Sequence, residues 1–204
     1  ERNYHIKCRF IDLRPLRCKD VKDYGYKYKM SKQTGDPKGK TVVNLATKSL
    51  FYGLNPLLFR GVFKNRWETM MHHRGSRHEY SISNSIYQSD VYISVPKLKA
   101  HHKVGATLNI KGLVGTCADK NYLIHWRIGS PGIGGDEYPV SKKIMASVYV
   151  FLKSLCEGFL PEKLLYFFSK KMFKDKGMKK KLGVPSYSGS WDGNDTCWRM
   201  AADL

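Results

Sequence analysis

Lysines and histidines are concentrated in one short segment of the sequence, directly after a run of β-branched residues. The run at 90–95, Asp-Val-Tyr-Ile-Ser-Val, is typical of a buried strand that ends at Pro96. Because side chains alternate in an extended chain, Lys97, Lys99 and His101 are predicted to lie on one side, just past the carboxyl end of that strand. Open α/β sheets bind their ligands at this edge. The spacing therefore predicts a ligand site.

The glycine-spaced segment 105–115 extends this predicted site. If the segment is helical, Thr107 and Lys111 are four residues apart and share one face, and its glycines allow close approach of the backbone to a ligand. Ammonium groups, a hydroxyl and backbone N–H groups together bind phosphate or carboxylate. We therefore predict an anion site. The alternative is that the lysines form the solvated basic edge of a sheet.

A second group of polar residues lies between positions 119 and 136. His101, His125 and Asp136 are the residue types of a metal site or an acid–base pair, although their spacing has no metal-ligand signature. They are the candidate ligands for a metal that the sequence does not identify, whereas the predicted catalytic residues are His101, His125 and Lys99. The predicted anion-binding residues are Lys97, Lys99, Lys103, Thr107, Lys111, Asn121, Arg127 and Asp136.

Three further histidines, His72, His73 and His78, lie in a basic stretch that we expect to be exposed. For such residues adventitious metal binding is expected rather than a built site. The Gly-Asp-Pro-Lys-Gly sequence at 35–39 is predicted to be a turn and not an anion nest.

The composition describes a folded and very basic protein. The 204 residues include 36 Lys and Arg against 17 Asp and Glu, which gives a formal charge of +19. A hydrophobic fraction of 42% excludes a disordered basic tail. No apolar run is long enough for a membrane span. The five cysteines are dispersed and form no C-x-x-C, so they are predicted to be buried free thiols and not ligands of zinc or of an iron–sulfur cluster.

Strands alternating with helices predict an α/β fold with a mostly parallel or mixed central sheet and flanking helices. The predicted strands are 4–13, 41–45, 80–86 and 90–95, with a loop or hairpin at 14–40 and a loop at 129–139. Helices are predicted at 141–156 and 161–181, and Asp195 or Thr196 is predicted to cap a terminal helix. We expect one α/β domain over 1–204, truncated at both ends, with a Lys-rich helical segment at 160–184.

Several ordered motifs make the sequence similar to a known family. They lie at 35–39 with 41–45, 90–101, 105–115, 119–125, 129–131 with 134–139, and 193–196 with 198–199. Together they resemble DUF362, a microbial family of unknown function, some of whose members are fused to ferredoxin-type iron–sulfur modules. The chain has Lys99-Ala100-His101 where the family has Lys-Thr-His, and Lys111-Gly112-Leu113 where the family has Lys-Asn-Leu.

The resemblance implies that the predicted lysines, histidines, Thr107, Asn121 and Asp136 belong to one site. It also implies a ferredoxin-type redox partner. No iron–sulfur cluster is expected in this chain, because the cysteines that hold one in the family are not in it.

Two classes of function remain open at this point. The first is an enzyme of small-molecule metabolism that binds a phosphate- or carboxylate-bearing substrate or cofactor in a Lys/His pocket. The second is a basic module that binds nucleic acid through cationic and aromatic side chains, or an anionic membrane through 160–184. We expect a cytoplasmic protein. In the first case Lys97, Lys99, His101, Lys111 and His125 should line one cleft.

Overall fold

The computed structural model describes residues 7–22, 27–61, 66–139, 148, 151–152 and 188–204. The strands are β1 Leu16–Lys22, β2 Lys27–Lys32, β3 Lys40–Asn44, β4 Phe59–Arg60, β5 His73–Arg74, β6 Arg77–Ser83, β7 Lys99–His101, β8 Gly105–Thr107 and β9 Trp126–Arg127. The α-helices are α1 Arg66–His72, α2 Asn84–Tyr87, α3 Asn109–Gly112 and α4 Thr196–Asp203. Short 3₁₀ turns lie at Ala46–Lys48, Pro56–Leu58, Leu113–Thr116, Lys120–Tyr122 and Pro131–Ile133.

The strands form small antiparallel sheets. β1 pairs with β2, β6 lies between β3 and β5, β4 pairs with β9, and β7 pairs with β8. The fold is therefore α/β in the general sense. Every strand pairing in the described ranges is antiparallel, so a mostly parallel or mixed central sheet remains a prediction.

The hairpin and the turn predicted near the amino end are confirmed. β1 and β2 form an antiparallel hairpin, and the turn at 35–39 has positive φ angles at Gly35 and Gly39 of 69° and 78°. The Asp36 carboxylate accepts hydrogen bonds from Lys38 N at 2.8 Å and from Ser85 N and Oγ, each at 2.7 Å. The turn therefore binds α2 and is not an anion nest. Upstream, where a strand was predicted at 4–13, the described residues from 7 onward form no regular element.

The core lies between β6, the segment 123–128 and α4. Its most deeply buried side chains are Phe51, Phe59, Tyr80, Cys117, Leu123, Ile124 and Met200. Tyr80 Oη donates to Asp203 Oδ2 at 2.8 Å, and Ser49 Oγ donates to the same oxygen at 2.6 Å. These bonds hold the carboxyl end of α4 against β6.

The run at 90–95 differs from its prediction, because it forms no regular strand. Val91, Ile93 and Val95 are 74%, 78% and 88% exposed, whereas Tyr92 lines a cavity beside Tyr80. A β-branched run forms a buried strand only where other strands lie against it, and no strand pairs with 90–95 in the part of the chain that the structure describes.

The carboxyl-terminal elements are described in part. Val148, Phe151 and Leu152 are helical, as predicted for 141–156, and the remainder of that helix and the Lys-rich segment 160–184 lie outside the described residues. α4 begins at Thr196 as predicted, with Asp195 at its N-cap position but without a capping bond from that side chain. No helix among the described residues is long and apolar enough to cross a membrane.

Candidate functional site

The β7–β8 hairpin positions His101. Lys99 pairs with Thr107 and His101 pairs with Gly105, whose φ of 71° allows the tight turn between the strands. Lys99 and His101 are two residues apart in β7 and share a face, as the sequence predicts. Thr107 lies in β8, and α3 begins two residues later at Asn109, so Thr107 and Lys111 do not share a helix face.

His101 is a neutral imidazole at pH 7. Its Nδ1 accepts a hydrogen bond from Lys103 N at 3.2 Å. Burial and the nearby charges of Lys111 and Lys103 lower the pKa of His101 to about 4. An ammonium group close to an imidazole disfavours the protonated ring, so an anion bound between them would reverse this effect.

His125 lies deeper, in the segment that follows the 3₁₀ turn Lys120–Tyr122. Its backbone N donates to Arg60 O at 2.8 Å, which aligns the segment with β4, and the residue is 8% exposed. Burial, then Lys111 and Lys103, lower the pKa of His125 to about 3. Both histidines that were predicted as catalytic are therefore subject to the same ammonium groups.

The charge of Lys111 acts on both histidines. Its charge lowers the pKa values of His101 and His125 and opposes the rise in the pKa of Cys197. Burial and the charge of Lys99 lower the pKa of Lys111 itself. α3 therefore carries an ammonium group whose charge acts on His101 in β7 and on His125.

Lys111 also lines a cavity of about 550 Å³. The walls are otherwise mostly apolar, and the residues that form them are Pro96, Ala106, Leu108, Asn109, Ile110, Lys111 and Trp198. An apolar cavity with one convergent cationic group is the usual form of a small-molecule site. Its chemistry suits an anion that has an apolar body.

Two contacts fix the ammonium group of Lys103. Its Nζ donates to Ser188 O and lies 4.6 Å from the ring centroid of Trp126. Burial lowers the pKa of Lys103, and the carboxylates of Asp136 and Glu137 oppose that shift. Lys103 therefore contributes positive charge near His101 while its ammonium group is bound to the protein.

Asp136 has a structural position, although it was predicted as an anion-binding residue and a metal ligand. It is 1% exposed, and its carboxylate accepts from Arg127 N at 2.6 Å, from Thr196 N at 2.9 Å and from the Thr196 hydroxyl. Arg127, also predicted to bind the anion, donates to Asp195 Oδ1 at 2.6 Å. These two side chains join the segment before α4 to β9.

Of the residues predicted to line one cleft, the lining of the cavity of about 550 Å³ includes Lys111 and does not include Lys97, Lys99, His101 or His125. Lys97 is exposed in the extended segment before β7. Asn121 lies in the 3₁₀ turn Lys120–Tyr122, where its N donates to Asp119 Oδ1 at 3.1 Å and its own Oδ1 is buried without a hydrogen-bond partner in the structure. Neighbouring Tyr122 stacks on His72 with ring centroids 3.6 Å apart.

Cys197 and Asn194 support the site from α4 and from the turn before it. Cys197 Sγ and Asn194 Nδ2 both lie 3.2 Å from His125 O, and Asn194 Nδ2 also donates to Gly189 O at 2.8 Å. Burial raises the pKa of the Cys197 thiol to about 11, so it is an inert thiol, as the sequence predicts. Cys117 is also buried, but Cys8 is exposed, so the prediction of buried thiols is wrong at that position. In the described residues no group of three or more His, Cys, Asp or Glu side chains could hold a metal ion.

Sequence reasoning left Trp198, Asn194 and Trp126 out of the predicted site. Trp198 and Asn194 lie within motifs that carry the family resemblance, so those motifs were an available signal. Trp126 had no signal in the sequence, because its contact with Lys103 depends on the turn that places Ser188 nearby.

The chain matches a protein-family model. The model of a family described as a domain of unknown function, DUF362, matches residues 40–175, which is more than half of the chain. No curated protein and no solved structure is significantly similar to the chain.

Proposed function

Since the chain belongs to the DUF362 family, we propose that it is an enzyme of small-molecule metabolism that binds an anionic substrate or cofactor in a Lys/His pocket. The anionic group is a phosphate or a carboxylate. Lys111, Lys99 and Lys103 supply the positive charge that attracts it. An apolar part of the same molecule lies in the cavity against Leu108 and Trp198.

The observation that carries this proposal is the position of Lys111. It lines the cavity of about 550 Å³ and its charge lowers the pKa values of His101 and His125. Close ammonium groups repel one another, by about 1 kcal/mol or more per close pair at the dielectric of a protein surface, so a bound anion would relieve strain. Scattered lysines would gain much less from an anion.

His101 is the proposed general acid or base. Without a ligand its pKa is about 4, which makes it a poor acid at neutral pH. An anion held by Lys111 would cancel part of the lysine charge and raise the pKa of His101 toward the working range. Substrate binding would thus prepare His101 for proton transfer. His125, which is almost completely buried, would act by a hydrogen bond to the same group.

Binding of two probes by isothermal titration calorimetry tests the proposal. We expect phenyl phosphate to bind more tightly than inorganic phosphate, because only the former has a ring to fill the cavity. Lys111→Met should weaken both by at least about tenfold, or about 1.4 kcal/mol. The matched control is Lys48→Met, which removes an exposed lysine from the 3₁₀ turn Ala46–Lys48. Equal losses in the two variants, or no binding of either probe, would contradict the proposal.

The formal charge of +19 favours a second function, binding of single-stranded nucleic acid. A fluorescent oligonucleotide should then bind with an affinity that falls steeply as salt rises. Tight binding near physiological salt that is insensitive to Lys111→Met would replace the enzyme proposal with this one. No binding at that salt would remove it.

The remaining parts of the proposal rest on the sequence. They are a mostly parallel or mixed central sheet, a cytoplasmic location and a ferredoxin-type redox partner. Attachment to an anionic membrane through 160–184 is tested by flotation with anionic and neutral vesicles, and equal recovery with both would exclude it.

A further inference from the structure

Two histidines are buried together in the core, away from the Lys/His pocket. His73 in β5 and His78 in β6 face each other across the hairpin and are 0% and 1% exposed. Their ring centroids are 5.8 Å apart. The sequence predicts exposed histidines at these positions, and the structure shows that this prediction is wrong. Their close packing raises the question of what the two rings share.

Hydrogen bonds fix the same tautomer in both rings. His73 Nε2 lies 2.7 Å from Tyr122 O, and His78 Nε2 lies 3.2 Å from Gly75 O. A carbonyl oxygen only accepts, so each Nε2 carries the proton and each Nδ1 has a free lone pair. Both Nδ1 atoms are buried without a hydrogen-bond partner in the structure.

This arrangement is the one that metal-binding histidines use. An imidazole that ligates a metal through one nitrogen almost always donates its other N–H to a carbonyl or carboxylate, which orients the ring. A metal about 2.0 Å from both Nδ1 atoms would place the ring centroids roughly 5 to 6.5 Å apart, for ligand angles from tetrahedral to linear. The observed 5.8 Å lies within that interval.

The surroundings favour a metal of low charge and low coordination number. Phe51, Phe59 and Tyr80 pack around His73 with ring centroids 6.1, 6.5 and 5.2 Å away. Such apolar walls offer few further ligands and make a divalent ion costly to bury.

We propose that His73 and His78 bind one copper(I) ion through their Nδ1 atoms, as a two-coordinate site in the core. Imidazole nitrogen is a good ligand for copper. A near-linear two-coordinate ion needs the ring centroids at the upper end of the interval given above, so the rings would move slightly apart from 5.8 Å when the ion binds. No bond is broken and no proton is displaced when the ion binds, because both Nδ1 atoms are already unprotonated. The site is separate from the Lys/His pocket and does not depend on the function proposed for that pocket.

The test titrates the protein with copper(I) under anaerobic conditions against the coloured bicinchoninate complex. Accessible thiols are first alkylated, because Cys8 is exposed and would compete for copper. We expect one tightly bound equivalent, and at least about 100-fold weaker binding in His78→Gln, because a two-coordinate site cannot spare a ligand. His72→Gln is the matched control, since His72 Nδ1 already bonds Glu79 at 2.8 Å.

X-ray absorption of the unmodified sequence with bound copper keeps the proposal testable if a histidine variant fails to fold. Two nitrogen ligands at about 2.0 Å would support the site, with the fold of each variant checked by circular dichroism. Copper coordinated by sulfur alone would overturn the proposal. Equal affinity in His78→Gln and the unmodified sequence, or no bound equivalent at all, would also overturn it.

Discussion

At the scale of single residues, His125 shows how burial and charge act on one group. Its surroundings lower its pKa to about 3, whereas an imidazole in an unfolded chain titrates near 6.5. The unfolded chain therefore takes up a proton first as the pH falls. His101, whose pKa is also lowered to about 4, acts in the same direction but is less buried.

The resulting prediction concerns stability in acid. The free energy of unfolding should stay level above about pH 7 and decrease as the pH falls from about 6.5 toward 3, by up to about 1.4 kcal/mol for each unit of lowered pKa. His125→Gln should flatten this decrease. Urea unfolding at pH 7 and pH 5 measures it, with His102→Gln, at an exposed position, as the control. An unchanged pH dependence in His125→Gln would contradict the argument.

Asp136 supports a second prediction at this scale. Its carboxylate joins Arg127 N, Thr196 N and the Thr196 hydroxyl, all in buried positions. Removing a charge from a buried network leaves the partner groups unsatisfied, so Asp136→Asn should lower the free energy of unfolding by about 2 to 4 kcal/mol. Asp192→Asn, at an exposed position, should change it little. Equal effects in urea unfolding would show that the network contributes nothing.

At the scale of elements, the turn at 188–189 secures Lys103. Gly189 has a φ of 74°, and a Cβ added there would lie 2.6 Å from Asn194 Nδ2 and 2.9 Å from Trp126 Cβ. Gly53 has a similar φ of 79°, but nothing lies within 4 Å of its Cβ position. The two glycines therefore separate the cost of backbone conformation from that of a steric clash.

Gly53→Ala should destabilise the protein by about 1 kcal/mol, the cost of a left-handed backbone at alanine. Gly189→Ala should cost roughly 2 kcal/mol more, because Asn194 and Trp126 must move. It should also weaken phenyl phosphate binding, since the shift reaches Lys103, whose Nζ would lie 3.2 Å from the new Cβ. Thermal unfolding and calorimetry of both variants measure this. The same loss in both would contradict the packing argument.

Sequence patterns correctly predicted the elements that depend only on residues close together in the chain. The turn at 35–39 depends on its own glycines, and β3 (Lys40–Asn44) forms where a strand was predicted at 41–45. The run at 90–95 was predicted from the same kind of pattern, but a strand also needs neighbours that the pattern does not contain.

The predicted site residues fall into two similar groups: some were predicted from their closeness in the sequence, and the positions of others depend on distant contacts. His101, Lys99 and Lys111 were predicted as one group because they follow one another closely in the sequence. The structural positions of Asp136 and Arg127 could not be predicted, because both depend on contacts with Thr196 and Asp195 more than fifty residues away. Residue type alone does not distinguish a carboxylate that binds a ligand from one that joins two segments.

At the scale of the whole molecule, the sequence carries a formal charge of +19. Such an excess destabilises the folded state by repulsion, and salt reduces the repulsion beyond about 10 Å at 0.1 M ionic strength. Sodium chloride should therefore raise the melting temperature of any variant. A specific anion site adds a second effect, since a ligand that binds only the folded state stabilises it by mass action.

Sulfate and chloride at equal ionic strength separate these two effects. At roughly 10 mM, where general salting effects are small, sulfate should raise the melting temperature more than chloride does. Lys111→Met should abolish this excess while keeping the chloride response, because general screening does not need Lys111. Lys48→Met should keep both responses. Differential scanning fluorimetry measures all three proteins. If sulfate and chloride stabilise the unmodified chain equally, or if Lys48→Met loses the excess as fully as Lys111→Met, then the positive charge acts as a diffuse field and not as a site.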